Sequence, residues 1–341
     1  MKLTRSYKIA TIPGDGIGPE VMKAAVAVLE ALEEARGYLS FEFVELQAGD
    51  RTKAETGTAL PEETLTEVKR SDGCLFAAAG ETASEVILPL RQGLDLYANL
   101  RPAKAYPAVP HLVEDVDLVI VRENTEGLYR RIEDHGPDWG VSVRVITRRA
   151  SERISRFAFG LAEREERRRV TCVHKANVLE ATCGLFVEAC RNVAADYSDI
   201  EYEEMIVDAC AMNLILNPEH FDVIVTTNMF GDILSDEAAG LIGGLGMTPS
   251  GNIGEDYAIF EPVHGSAPDI AGKGIANPIA MILSAKMMLE RLGEQEAATA
   301  VEEAVIKVLR EGEVLTPDLG GSASTDELAA AIRGKLAEKE F

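Results

Sequence analysis

What these 341 residues lack narrows their reading first. There is no G-x-G-x-x-G: Gly14, Gly16 and Gly18 come nearest with the wrong spacing, so any bound dinucleotide is not held by the usual Rossmann fingerprint. No apolar run reaches the length needed to span a bilayer, which argues against a membrane partner. The amino end, MKLTRSYKIATIPGDG, has no secretory apolar core before it enters a strand, so a cytoplasmic protein is expected. The five cysteines (Cys74, Cys172, Cys183, Cys190, Cys210) form no C-x-x-C pair; an odd number without a signal suits reduced thiols, most of them small core fillers. Positive charge is scarce. Against 57 acidic residues stand 34 basic ones, a net charge of −23, and such a surface repels nucleic-acid backbones.

What is present alternates strand with helix. Tyr7–Ile12 reads as a strand, the glycines from Gly14 make a turn, and Pro19 suits the first turn of a helix bearing Val21, Ala24, Ala25, Val28, Leu29 and Leu32. Strands are expected at Phe41–Leu46, Gly73–Ala79, Asp117–Arg122 and Val170–His174, and helices at Leu60–Lys69, Ser84–Leu94, Ser151–Glu166, Asn177–Arg191 and Ile279–Leu292. Residues 130–147 form an arm or hairpin, and the last helix opens on a capping box, Ser324 with Glu327. GGLGMTPSGNIG is too glycine-rich to be regular, and EPVHGSAPDIAGKGIANP reads as loop. This order implies an α/β fold with a largely parallel sheet.

Five segments carry chemistry. In FDVIVTTNMFGDILSD a buried strand runs into a helix bearing Asp232 and Asp236, four residues apart and so on one helical face; two hard carboxylates there suit Mg²⁺ or Mn²⁺. Helix capping and solvation are the alternative. Arg91, Arg101 and Arg122 each close an apolar segment; such arginines often form structural ion pairs, but three together suit a di- or tricarboxylate. Tyr129, in RENTEGLY, either packs or donates a proton to carbon. Lys175, in HKAN, either lies on the surface or enters a cleft as a base. In the EPVHGSAPD loop small residues allow close backbone approach to a ligand; Asp269 suits a ribose diol and repels a 2′-phosphate.

Together, IPGDGIGPEV, YANLRPAK, VRENTEGLY, HKANVL, TTNMFGDILSD and EPVHGSAPDIAGKGIANP resemble the isocitrate/isopropylmalate dehydrogenase family of β-hydroxyacid oxidative decarboxylases over nearly the whole chain. GETASEVILPLR looks like the archaeal-type 3-isopropylmalate enzymes, some of which also accept 3-methylmalate. The resemblance implies a non-Rossmann two-domain α/β fold with a mixed, largely parallel sheet. Residues 1–96 plus 249–341 would bind cofactor, and 97–248 would carry substrate, metal and dimer contacts. It implies a homodimer, or a tetramer, in which Lys175, Asn177 and Asp208 reach the neighbour's site. Asp208, Asp232 and Asp236 would hold Mg²⁺ or Mn²⁺; Arg91, Arg101, Arg122 and Asn177 would hold substrate; Tyr129 and Lys175 would be the acid–base pair. His264, Gly265, Ser266, Ala267, Asp269 and Asn277 would hold NAD, since NADP users tend to carry lysine and tyrosine where this chain has Asp269 and Ile270.

Substrate choice is expected on the helix before Arg91. Isocitrate enzymes typically place serine and asparagine six and four residues before that arginine; this chain has Glu85 and Ile87. A glutamate repels a third carboxylate and isoleucine cannot hydrogen-bond it, whereas Ile87 and Leu88 suit a small alkyl group. Homoisocitrate enzymes can have an arginine where Leu88 stands. The expected reaction is NAD-dependent oxidative decarboxylation of 3-isopropylmalate, an alkylmalate, in leucine biosynthesis. Homoisocitrate or isocitrate oxidation is the alternative, and a non-catalytic regulatory or metal-binding subunit is one of another class. Glu85 departs from the bacterial pattern, which has its glutamate where Ser84 stands here.

Overall fold

The computed structural model describes residues 4–113 and 116–338. β1 (Arg5–Gly14) leads into α1 (Gly18–Arg36), where Pro19 has no N–H to lose in the first turn and the six apolar residues named above are buried. β2 (Leu39–Glu45) lies parallel to β1. Two short helices, α2 (Asp50–Thr56) and α3 (Glu62–Val68), precede β3 (Gly73–Ala78), which is buried throughout. α4 (Ala83–Gly93) brings the chain to β4 (Ala98–Lys104) and β5 (Asp117–Glu123). Residues 130–147 contain a hairpin, β6 (Glu133–Gly136) and β7 (Trp139–Ser142), separate from the main sheet.

α5 (Arg148–Arg164), β8 (Arg169–His174), α6 (Leu185–Ala194), β9 (Glu201–Ile206), α7 (Val207–Leu216), β10 (Val223–Thr226) and α8 (Asn228–Leu241) follow. The chain then returns through β11 (Pro249–Ile253) and β12 (Ala258–Pro262) to α9 (Ile279–Arg291), α10 (Gln295–Glu311) and α11 (Thr325–Ala337). Ser324 and Glu327 form the expected capping box. No described helix is long and apolar enough to cross a membrane.

The ten-stranded sheet has the order β2-β1-β3-β12-β11-β4-β5-β10-β8-β9. Both flanks are parallel, while β12-β11-β4-β5 at the centre pair antiparallel. All five cysteines are free and buried, as core fillers should be.

The glycine-rich stretch corrects the sequence reading. Residues 249–253 are a buried central strand, and Ala258–Pro262, partly read as loop, is its neighbour. The reason is packing: a Cβ on Gly251 would lie 3.1 Å from the Phe260 ring, so glycine here permits close strand contact. The helix expected from Asn177 begins later, with a π-type turn at Glu180–Gly184, because residues 176–178 form a turn closed by Val178 and Leu179 donating to the Lys175 carbonyl. α2, β4, β9 and α7 have no counterpart in the sequence reading.

The opening turn is locked to the loop after β12. Gly16 has φ +60°, a Cβ there would lie 1.9 Å from the Ser266 carbonyl oxygen, and Ile17 N donates to that same oxygen at 2.9 Å. Gly16→Ala should therefore destabilise the protein by about 1–3 kcal/mol in urea unfolding. An unchanged midpoint would contradict the lock.

Candidate active site

The central antiparallel strands set the site. Asn99 on β4 lies opposite Arg122 on β5, and Arg101, two residues along, shares its face. β5 and β10 run parallel, so Arg122 and the start of α8 emerge together at their carboxyl ends. α8 then presents Asp232 and Asp236 one turn apart, as the sequence spacing predicts.

Arg122, 1% exposed, donates through Nε and Nη2 to Asn228 Oδ1 at 3.0 and 2.7 Å and through Nη1 to Asp232 Oδ1 at 2.5 Å. Arg101 Nη1 reaches Ser235 Oγ at 2.7 Å and lies 3.3 Å from both Asp232 and Asp236. Arg91, also buried, donates from Nη2 to Glu261 Oε1 at 3.1 Å, while its Nε is buried without a partner. Burial pushes Asp232 up, but Arg122 and Arg101 outweigh it, and the carboxyl ends below its ordinary range. Asp236 ends above that range: burial raises it, and Asp232 opposes what Arg101 gives back. Burial pushes both Arg122 and Arg101 down, and for Arg122 the charges of Arg101 and Arg91 add to the effect.

Tyr129 sits in a 3-10 turn, Leu128–Arg130, after Gly127 at φ +80°. Its hydroxyl donates to Asp232 Oδ2, and the Arg122 guanidinium lies 5.1 Å from its ring centroid. Burial and that bond hold the phenol above its usual pKa, hence protonated and able to act as an acid. Buried Glu123 holds this loop by accepting from Thr125 N, Thr125 Oγ1 and Glu126 N.

Lys175 and Asp208 are not brought to that cluster within one chain. They pair with each other at 2.5 Å, where Lys175 holds Asp208 below its ordinary range, and Asn177 beside them is exposed. Among the described residues no three acidic, cysteine or histidine groups meet as a metal site in one chain. The fit of Asp232 and Asp236 to a divalent cation is nonetheless good in kind. They are hard oxygen donors, two like charges on one face whose repulsion shows in the raised Asp236, and each oxygen keeps a lone pair beyond its present bonds.

The loop after β12 holds the expected cofactor residues together. His264 Nε2 is buried with no hydrogen-bond partner, and burial pushes the imidazole below its usual pKa, leaving a neutral ring that fits a bound base. Gly265 is exposed, Ser266 is anchored by Ile17, and Ala267 adopts φ +41°, an uncommon conformation for a residue with a side chain. Asp269 is exposed. Asn277 is already committed: it donates to Asp318 Oδ2 at 3.0 Å, accepts from Ile279 N at 3.0 Å, and is 6% exposed.

On α4, Ile87 and Leu88 fall one turn before Arg91, both half-buried, with Ile87 packed against the smaller core that includes Phe76, Val86 and Leu90. Glu85 has a partner that lies far off in the sequence: Lys53 Nζ donates to both its oxygens, at 2.7 and 2.8 Å, in an exposed pair that offsets part of its charge. Sequence reasoning also missed Asn99, Asn228, Ser235 and Asn252, whose polar side chains in otherwise apolar strand and helix segments were the available signal.

A fold with parallel flanks around an antiparallel centre, buried arginines facing a carboxylate pair, and a loop with an orphaned imidazole defines a class: decarboxylating dehydrogenases of β-hydroxyacids, which use NAD(P) and a divalent metal. The family model for isocitrate/isopropylmalate dehydrogenase matches residues 8–332, and the chain belongs to that family. It is 56% identical to the 3-isopropylmalate dehydrogenase of Archaeoglobus fulgidus, over 96% of this chain and 99% of that one. It is 54% identical to the isocitrate/homoisocitrate dehydrogenase of Thermus thermophilus, over 96% and 98%. The isocitrate dehydrogenase structure from Methylococcus capsulatus superposes with TM-score 0.93 at 47% identity, covering 97% of this chain and all of that one. Enzymes named for different substrates thus stand at similar distance.

Asp232→Asn should leave Arg122 short of a counter-charge and cost about 2 kcal/mol in chelator-treated protein at pH 7, less than a fully buried pair because Asp232 is partly exposed. Since the folded carboxyl lies below the ordinary value of 3.8, that stability is complete above about pH 5 and is lost as pH falls through the folded value. Urea unfolding across pH checks this; a gap that stays constant into acid contradicts it.

Proposed function

We propose that the chain is an NAD-dependent 3-isopropylmalate dehydrogenase that also accepts 3-methylmalate, a cytoplasmic enzyme of leucine biosynthesis. The observation that carries the substrate reading is the α4 face, where apolar Ile87 and Leu88 stand one turn from buried Arg91. The name of the Archaeoglobus relative agrees. In this reading Arg91, Arg101 and Arg122 grip the malate carboxylates with their bidentate forks.

Two copies complete each site. Support comes from apolar side chains left exposed at and beside the hairpin (Ile132, Trp139, Val141) and on α7 (Met212, Ile215, Leu216), the helix that carries Asp208. Lys175 of the partner subunit removes the substrate hydroxyl proton, directly or through water or an aspartate, with Asn177 of the partner subunit beside it. Tyr129 returns a proton to carbon after CO₂ has left. Mg²⁺ or Mn²⁺, held by Asp232, Asp236 and the partner subunit's Asp208, would supply Lewis acidity at the hydroxyl and carboxylate, and NAD would accept the hydride. His264, Gly265, Ser266, Ala267, Asp269 and Asn277 hold that cofactor, Asp269 favouring a ribose diol over a 2′-phosphate; Asn277 also accepts from Ile279 N at the start of α9.

We assign the cofactor domain to residues 1–96 plus 249–341 and the substrate and dimer domain to 97–248; β11 beside β4 is where the two meet in the sheet. The pairing of Glu85 with Lys53 favours a second reading, isocitrate or homoisocitrate oxidation, because the lysine lowers one obstacle to a third carboxylate. A non-catalytic subunit leaves Tyr129, Lys175 and the aspartates without a purpose.

NADH absorbance with 3-isopropylmalate, 3-methylmalate, isocitrate and homoisocitrate tests the assignment. The alkylmalates should turn over fastest, with NAD preferred to NADP, and Ile87→Asn should shift the kcat/KM ratio toward the tricarboxylates by about tenfold. Faster isocitrate turnover in the unaltered enzyme, or a ratio unmoved by the substitution, contradicts the pocket argument.

A further inference from the structure

The antiparallel centre of the sheet carries a polar row across one face. Register places Arg122, Asn99, Asn252 and Ile259 opposite one another on β5, β4, β11 and β12. Arg101 and Glu261 lie two residues along from Asn99 and Ile259, so they share that face. Asn252 is at the centre of this row and is 2% exposed.

Every side-chain function of Asn252 is used, and in opposite directions. Its Oδ1 accepts from Asn99 Nδ2 and Asn124 Nδ2, each at 3.0 Å. Its Nδ2 donates to Glu261 Oε1 at 2.7 Å and to the Ile259 carbonyl at 3.4 Å. Each side leads to a guanidinium: Asn99 Oδ1 accepts from Arg101 Nε at 2.7 Å, and Glu261 Oε1 accepts from Arg91 Nη2 at 3.1 Å. Arg91 stands on α4 and Arg101 on β4, and this chain of bonds runs from one to the other.

We propose that Asn252 is a positioning residue that fixes Arg91 and Arg101 relative to each other through Glu261 and Asn99. The inference rests on the reading of both arginines as carboxylate ligands. Asn252 touches no substrate itself; its amide both accepts toward β4 and donates toward β12, which neither leucine nor an ionised aspartate can do. Misplacing either fork weakens substrate binding without removing the acid–base groups.

Asn252→Asp separates this role from general packing. The isosteric carboxylate still accepts from Asn99 and Asn124, but it faces Glu261, and two carboxylates so close share a proton until the pH is raised enough to ionise both. The charged groups around them are Glu261 of β12, Arg91 of α4 and Arg101 of β4; the Cys74 thiol of β3, near Glu261, is kept protonated by burial. Steady-state kinetics with 3-isopropylmalate should show KM raised about tenfold at alkaline pH, kcat changed far less, and the KM ratio to wild type narrowing toward pH 6 as a shared proton restores a donor. If that variant does not fold, Asn99→Ala, which cuts only the Arg101 side, should raise KM without the pH signature. A folded Asn252→Asp enzyme with a pH-independent KM ratio, or Asn99→Ala with unchanged KM, overturns the proposal. Arg101→Met in parallel distinguishes the two readings: if its KM is unchanged, it is the carboxylate-ligand reading that fails.

Discussion

Two guanidinium groups buried side by side in the middle of a sheet are the constraint on which the rest of this structure depends. Arg101 and Arg122 are 8% and 1% exposed, so each must find its counter-charge inside the protein. Asp232 supplies most of it, and both α8 and β10 are placed so that it can. The same carboxyl takes the Tyr129 hydroxyl, so the phenol, the two guanidinium groups and the carboxylate pair are a single electrostatic unit. In the proposed function a substrate carboxylate would meet guanidinium groups already desolvated and oriented.

The charges of this cluster also balance within one chain. Three arginines stand against Asp232, Asp236 and Glu261, so the cluster carries no excess of positive charge. Lys175 and Asp208 neutralise each other elsewhere on the chain, next to exposed apolar residues Val178 and Leu179. In the proposed dimer this pair opens toward the neighbour's carboxylates.

How legible was this in the sequence? Segments with one clear period, such as α1, β5 and α8, read correctly, because burial of one face or both faces leaves a plain pattern. The spacing of Asp232 and Asp236 gave their shared face, and the motifs gave the family, now shown by the matched model. β11 was invisible, since glycine and asparagine in a central strand answer to the Phe260 ring and to a polar row on neighbouring strands, neither of which is local. The Glu85–Lys53 pair was hidden for the same reason: its members are 32 residues apart in the chain. Asn252 needed the strand register before its four bonds had any meaning.

Substrate identity is a smaller quantity than any of these. Alkylmalates and tricarboxylates share the malate core that the arginines would read, and in the proposed reading the difference would fall to a few half-buried side chains on α4. Relatives named for both kinds of substrate are almost equally similar to this chain, 56% identical against 54%, as expected when so few positions decide. The claim beneath all of this is that Asp232 and Asp236 hold one divalent cation inside the arginine frame. Mn²⁺ titration followed by electron paramagnetic resonance, on chelator-stripped protein with 3-isopropylmalate present, tests it most directly. The account predicts saturable Mn²⁺ binding that Asp236→Asn weakens by about tenfold or more while the unfolding midpoint barely moves. Equal Mn²⁺ affinity in the variant, or turnover that survives exhaustive chelation, would contradict it.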